Sequence, residues 1–317
     1  MHQKQPAPDS AHGLCIWRKS RSFVGLSVVM KLLGRLCVLM LLTCLWVAPA
    51  DAQFRRAKAK PVRQEESPLS AEVTKLLAEA KSLQAQYKES EALARYELVL
   101  AKAPATYEAL WRAAVLSVRI GSRYTDETRK IAYFSAARLY SSRALVVRPE
   151  GAESNYAEAL ALANQATLLT ARARLLAYRE MRPYIFKAVA VRPDYADALQ
   201  LLGRWHFRVD HYNILERIFS RLFLGGTPNE ASSNAAIEAL TKAHKLEPQR
   251  IQFAYDLARI HIAEKQRTSA VAVLQDAIEI TPVTAEELEI SRRCRKLLVQ
   301  LNRKMLKQVH SHLREIE

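Results

Sequence analysis

Trp111, Tyr156, Gln200 and Tyr255 follow one another at steps of 45, 44 and 55 residues. Val115, Leu160, Arg204 and Arg259 repeat those steps four positions later. Aromatic side chains offer rigid contact area, and a guanidinium presents a planar fork to a carboxylate or phosphate. An aromatic row that grades into arginines suits an extended peptide with an acidic group at one end. This is recognition chemistry, not bond making.

Residues for bond making lack a matching arrangement. His206, Asp210 and His211 lie close enough for a local hydrogen-bonded cluster. His310 and His312 are two apart, which on a helix puts them on different faces and makes a poor zinc pair. The sequence has no CxxC, HExxH, GxSxG or GxxxxGK[ST] pattern. Gly225-Gly226 precedes Pro228 and reads as a helix stop, not a phosphate loop. No catalytic residue, metal or cofactor is expected.

The elements that must hold the row in register show in the prolines. Pro104, Pro149, Pro193, Pro248 and Pro282 are spaced by 45, 44, 55 and 34 residues. The last step is the period of the tetratricopeptide hairpin, and the others are that period with insertions. Small residues keep the same register. Ala144, Ala188, Ala243 and Ala277 stand five before a proline, with Val99 in that place before Pro104. Ala92, Ala137, Ala236 and Ala270 stand twelve before, with Met181 the exception. Two helices that cross closely need small side chains there, and proline then stops the second helix. Gly203 and Ala258 fit the small position of the first helix. The spacing predicts an all-α, tetratricopeptide-like solenoid over 70–317, with hairpins near 70–104, 107–149, 152–193, 196–248 and 251–282. A terminal helix from Ala285 to about Ile316, opened by a Thr284–Glu287 capping box, is expected to cap the stack. In the fourth hairpin an inserted amphipathic helix is expected to pack Ile214, Ile218, Leu222 and Phe223 inward.

The formal charge is +16 over 317 residues, and +12 of it lies beyond residue 52. Acidic protein segments and anionic lipid are therefore candidate partners. A nucleic-acid partner would call for aromatics interleaved with a basic stripe, and most basic residues here lie without them. Lys31 and Arg35 precede the apolar run 36–48, and Ala50-Asp51-Ala52 is an A-x-A pattern before Gln53. Residues 1–52 are expected to form a signal peptide cleaved between Ala52 and Gln53, with Met30 well placed as a start. Export to the periplasm or cell envelope follows. The alternative is an uncleaved anchor with a cytoplasmic repeat domain, favoured by Arg55, Arg56, Lys58 and Lys60 after the apolar run. Residues 53–69 read as a flexible linker. After cleavage only Cys294 of the four cysteines remains, so packing must supply the stability.

The stretches LGRWHFRV from Leu202, ILERIFSRLFLGGTP from Ile214 and AIEALTKAHKLEP from Ala236 together resemble the regulator of microtubule dynamics family. The resemblance covers Ala196 to Pro282 well and Ser70 to Pro193 loosely. It implies a tetratricopeptide fold without catalytic activity. Eukaryotic members are linked to microtubules, spindle poles and mitochondria, and some tether membranes through lipid-binding repeats. The A-x-A signal departs from that setting, because an exported chain meets no microtubule. The expectation is a protein- or peptide-binding scaffold with Trp111, Tyr156, Gln200, Arg204, Tyr255 and Arg259 in its groove. The alternatives are a lipid-binding or tethering module, and a microtubule-associated protein if the chain stays cytoplasmic. Whether the insertions cover the groove is left open by the sequence.

Overall fold

The computed structural model describes residues 69–316, with side chains as far as Lys307. The expected signal segment, the Ala52–Gln53 bond and residues 53–68 of the expected linker lie outside them. Every regular element described is helical. The first hairpin pairs α1 (Ala71–Ala85) with α2 (Glu89–Lys102), and the second pairs α3 (Tyr107–Arg123) with α4 (Glu127–Val147). The third joins α5 (Ala152–Gln165) to α6 (Ala171–Val191) through a 3-10 turn at Ala166–Leu168. The fourth pairs α7 (Ala196–Asp210) with α9 (Ser233–Leu246) and holds α8 (Ile214–Phe223) between them. The fifth pairs α10 (Ile251–Ala263) with α11 (Arg267–Glu279), and α12 (Ala285–Ile316) follows. The helices fall within the ranges that the proline register predicts.

The register works through backbone sterics. A proline ring disfavours the α conformation of the residue before it. Ala103, Arg148, Arg192 and Glu247 accordingly share φ near −133° to −134° with ψ between 75° and 89°. Each helix stops there, and the next hairpin starts within a few residues. The small positions are where helices cross. Ala92, Ala137, Ala236 and Ala270 are fully buried, as are Ala144, Ala188, Ala243 and Ala277. Val99 and Met181, larger residues at these positions, are buried too. Gly203 marks the closest crossing: a Cβ there would stand 2.7 Å from Leu240 Cγ and 3.0 Å from the Ala236 carbonyl oxygen.

Side-chain caps start several helices. Ser70 accepts from the Val73 N–H at 3.3 Å, Asp126 from Arg129 at 2.8 Å and Ser232 from Ala235 at 3.1 Å. Thr284 accepts from the Glu287 N–H at 3.1 Å as expected. The Glu287 carboxylate, however, takes the N–H of Val283 at 2.9 Å. The reciprocal half of the capping box is thus shifted by one residue. α12 covers the last hairpin, with Ile290, Cys294 and Leu301 packed on Ala254, Ala258, Ala270 and Leu274.

α8 is amphipathic, but it docks the other way round from the expectation. Ile214, Leu215, Ile218, Leu222 and Phe223 are all half or more exposed, Ile214 at 77%. The inward side is mostly polar, with Phe219 alone of the helix's apolar residues half-buried against the neighbouring core. Glu216 is buried in a two-pronged pair with Arg208, at 3.1 and 2.5 Å, and Ser220 is buried beside it. Burial pushes the Glu216 carboxyl up, but Arg208 and the Asn213 N–H outweigh it and hold the group below its ordinary value. Asn213 and Glu216 also exchange hydrogen bonds in a complete capping box. A charge-assisted fork and a full cap fix the helix without its apolar stripe. Leaving that stripe in water forgoes about 1.5–3 kcal/mol for each side chain that could have been buried.

Candidate functional site

A cavity of about 1120 Å³ opens across the first three hairpins and the start of the fourth. Its floor comes from α3. Tyr107, Trp111, Val115 and Arg119 are spaced four apart, so they stand in one row along that helix, and all four line the cavity. Tyr156 from α5 and Tyr195 at the start of α7 face them, with ring centroids 4.9 Å apart.

Arginines overlie the aromatic rings. The guanidinium of Arg112 stands 4.5 Å from the Trp111 ring, Arg148 4.4 Å from Tyr107 and Arg192 3.7 Å from Tyr195. Arg148 and Arg192 are the residues that their following prolines hold in the extended conformation, so the device that ends a helix also places a cation. Six Lys or Arg line the cavity against three acids, Glu108, Glu153 and Asp197. Each acid is already engaged by the protein. Glu108 pairs with Lys81 at 2.7 Å and Arg112 at 2.9 Å, Glu153 with Arg192 at 2.8 Å and Asp197 with Arg250 at 2.9 Å. Tyr107 also donates to Glu153 at 3.1 Å. Arg119 donates to buried Glu89 at 3.3 Å, and Arg123 holds the other oxygen of the same carboxylate. Counted over the lining alone cations exceed acids by three, but Arg119 is paired with Glu89, and Lys102 with Glu72 of the first hairpin at 2.9 Å.

Burial pushes the Tyr156 hydroxyl far above its ordinary value and Asp197 adds to the shift, while Arg119, Arg250 and Arg204 pull it back. Burial, Tyr156 and Asp197 raise Tyr195 likewise. Both stay neutral phenols near pH 7. Tyr107 and Tyr156 are themselves buried, so the surface open to an elongated anionic ligand is that of half-buried Trp111 and Tyr195 with the guanidinium forks beside them.

The structure divides the expected row. Trp111 and Tyr156 line the cavity; Gln200, Arg204, Tyr255 and Arg259 do not. Gln200 is buried and donates to Asp256 at 2.6 Å. Tyr255 is half-buried against the core that α12 closes, and it accompanies Arg293 of that helix. Arg204 and Arg259 are exposed, Arg259 lying 5.7 Å from the Tyr255 ring. The element over Tyr255 is thus the terminal helix, not an insertion. Sequence reasoning missed Tyr107, Arg148, Arg192, Tyr195 and Arg250, which sit at hairpin junctions. The Arg-Pro pairs at 148–149 and 192–193 were the available signal.

The histidine cluster is taken up by structure. Asp210 accepts from the Ser233 N–H at 3.0 Å and its hydroxyl at 2.7 Å, at the start of α9. His206 is buried between Trp205 and Phe186, and His211 lies 3.4 Å from Glu264. Among the described residues no group of three or more His, Cys, Asp or Glu is placed to hold a metal ion.

The fold is similar to that of TTC0263, a thermophilic TPR protein of Thermus thermophilus, at 17% identity and a TM-score of 0.53. That match covers 72% of this chain and 99% of the other. Looser similarities extend to PilF of Pseudomonas aeruginosa, at 13% identity, TM-score 0.43 and coverage of 74% and 91%. MamA of Desulfovibrio magneticus RS-1 matches at 15% identity and a TM-score of 0.42, with coverage of 67% and 97%. No curated protein sequence matches the chain. The family described as Regulator of microtubule dynamics protein 1-3 matches residues 76–302. Most of the sequence, including α8 and the whole wall of the cavity from Leu77 onward, lies within that match, and the chain therefore belongs to the regulator of microtubule dynamics family.

Proposed function

We propose that this chain is a non-enzymatic scaffold whose groove binds an extended, acidic peptide segment of a partner protein. The observation that carries the reading is the row of guanidinium groups laid over aromatic rings along a cavity of about 1120 Å³. Its length and its row of side chains suit a chain of residues better than a compact metabolite. The lining acids are already paired, so an incoming carboxylate meets donors without a matching repulsion.

The groove reading places the ligand's main seat at Trp111 and Tyr195, with Tyr156 as a buried support against Tyr195 and Arg204 and Arg259 as an outlying extension. Selection of the full-length chain against a random peptide library tests it. The expected outcome is enrichment of peptides rich in Asp and Glu with an apolar or aromatic residue, whose binding falls as salt rises. Selected peptides without acidic bias, or peptides that bind Trp111→Ala as well as the parent, would sink the reading.

We further propose that the scaffold acts after export, with residues 1–52 removed. The apolar run 36–48 followed by Ala50-Asp51-Ala52 supports this. Sequencing the N-terminus of the mature protein checks it: Gln53 is expected first, and an intact earlier start would instead favour the anchored form.

A further inference from the structure

α8 meets the rest of the molecule with its polar side and half-buried Phe219, and turns the rest of its apolar side to solvent. Plotted at 100° per residue, Ile214, Ile218, Leu222 and Leu215 fill an arc of about 100° on the outer side. Arg217 and Arg221, both exposed, run along one border of that arc. On the other border Phe219 and Phe223 pair at 4.8 Å, with the Arg172 guanidinium 5.2 and 5.7 Å from their rings. No acid faces outward on this helix. Its one acid, Glu216, is buried under Arg208, Glu230 is paired with Arg182, and Glu264 lies 3.4 Å from His211 Nε2. The stripe continues into Gly225 and Gly226, whose φ values of 75° and 99° turn the chain in open space.

We propose that α8 is an interfacial helix that lays this stripe into the headgroup–acyl boundary of an anionic membrane, with Arg217, Arg221 and Arg172 at the phosphate level. An apolar arc bordered by arginines and free of exposed acid is the charge pattern such a surface selects. Ten residues are too few to span a bilayer, so the helix lies on the membrane. A second copy of the chain fits the patch less well. A stable protein interface takes roughly 800 Å² and some 20–30 residues on each side, far more than one short helix face supplies. The inference stands apart from the groove reading and uses none of its residues.

Tryptophan emission at position 222 tests it in the full-length chain. Leu222→Trp adds an exposed reporter to the four native tryptophans, and the parent chain provides the baseline. With vesicles of equal parts phosphatidylglycerol and phosphatidylcholine, the added emission should shift to the blue and be quenched by lipids brominated on the acyl chain. Pure phosphatidylcholine should give little of either. Adding Arg217→Gln and Arg221→Gln to the reporter chain should weaken the response by roughly 5-fold for each arginine removed. Because the reporter reads α8 itself, vesicle attachment through the apolar run 36–48 does not mimic the result. Emission at 222 that ignores anionic vesicles would overturn the proposal. So would a blue shift without lipid that grows with protein concentration, which would assign the patch to a second copy.

Discussion

At Gly203 the crossing of α7 and α9 leaves no room for one methyl group. Gly203→Ala would gain helix propensity but drive a Cβ to 2.7 Å from Leu240. Overpacking of this kind costs about 1–3 kcal/mol, so the urea midpoint should fall despite the better helix former. Two histidines carry a second prediction. His206 and His244 each have a ring Nδ1 buried without a partner, and burial lowers the pKa of both, against the pull of nearby carboxylates. A folded-state pKa below the unfolded value gives stability that is present above about 6.5 and lost as the pH falls through the lowered value. The urea midpoint should therefore drop between pH 7 and pH 5, and His244→Gln should flatten part of that drop. A midpoint with unchanged slope in the variant would remove His244 from the account. Residue types alone did not reveal the cavity's arginines. Arg148 and Arg192 reach Tyr107 and Tyr195 only because the next proline fixes their backbone, and Arg148 and Tyr107 lie 41 positions apart.

Among the elements, α8 and α12 differ most in how far the sequence discloses them. Hairpin boundaries were legible because proline and the small crossing positions act locally, within a turn or two of the residues that report them. Which side of α8 packs inward was not legible. Periodicity shows that a helix has two faces, but the choice between them rests on Arg208 reaching Glu216 from another helix. Ile218→Ser or Leu222→Ser should thus change folding stability by no more than about 0.5 kcal/mol, as for ordinary surface sites. Trp205→Ala, by contrast, removes a buried ring whose Nε1 donates to the Tyr178 carbonyl at 2.9 Å, and should cost about 3–5 kcal/mol. Denaturant melts of the three variants decide the matter. α12 has its own reporter in Cys294, fully buried, its thiol pushed up to about 11 by burial. In a chain with Cys15, Cys37 and Cys44 changed to Ser, maleimide should label Cys294 only when α12 lifts off the fifth hairpin. Leu301→Ala, which loosens that packing, should speed the labelling without exposing the other hairpins to exchange.

At the scale of the whole molecule, one repeat register serves two different halves. In the second hairpin Trp111 stays half-exposed at the cavity, and in the third Tyr156 is a buried part of its wall. In the fifth the corresponding Tyr255 is taken by the core beneath α12. The sequence showed the row in one repeat register throughout, because register does not record that a later helix folds back over part of it. We propose that the open half, and not the whole row, seats the acidic peptide. Calorimetric titration of one selected acidic peptide into the parent chain, Trp111→Ala and Arg259→Ala tests this most directly. Loss of a central aromatic anchor should cost at least about 2 kcal/mol, or roughly 30-fold in Kd. That loss is expected for Trp111→Ala, with a change within about 3-fold for Arg259→Ala, the size expected of a peripheral contact. Equal affinity for the parent and Trp111→Ala, or a larger loss from Arg259→Ala than from Trp111→Ala, would contradict it.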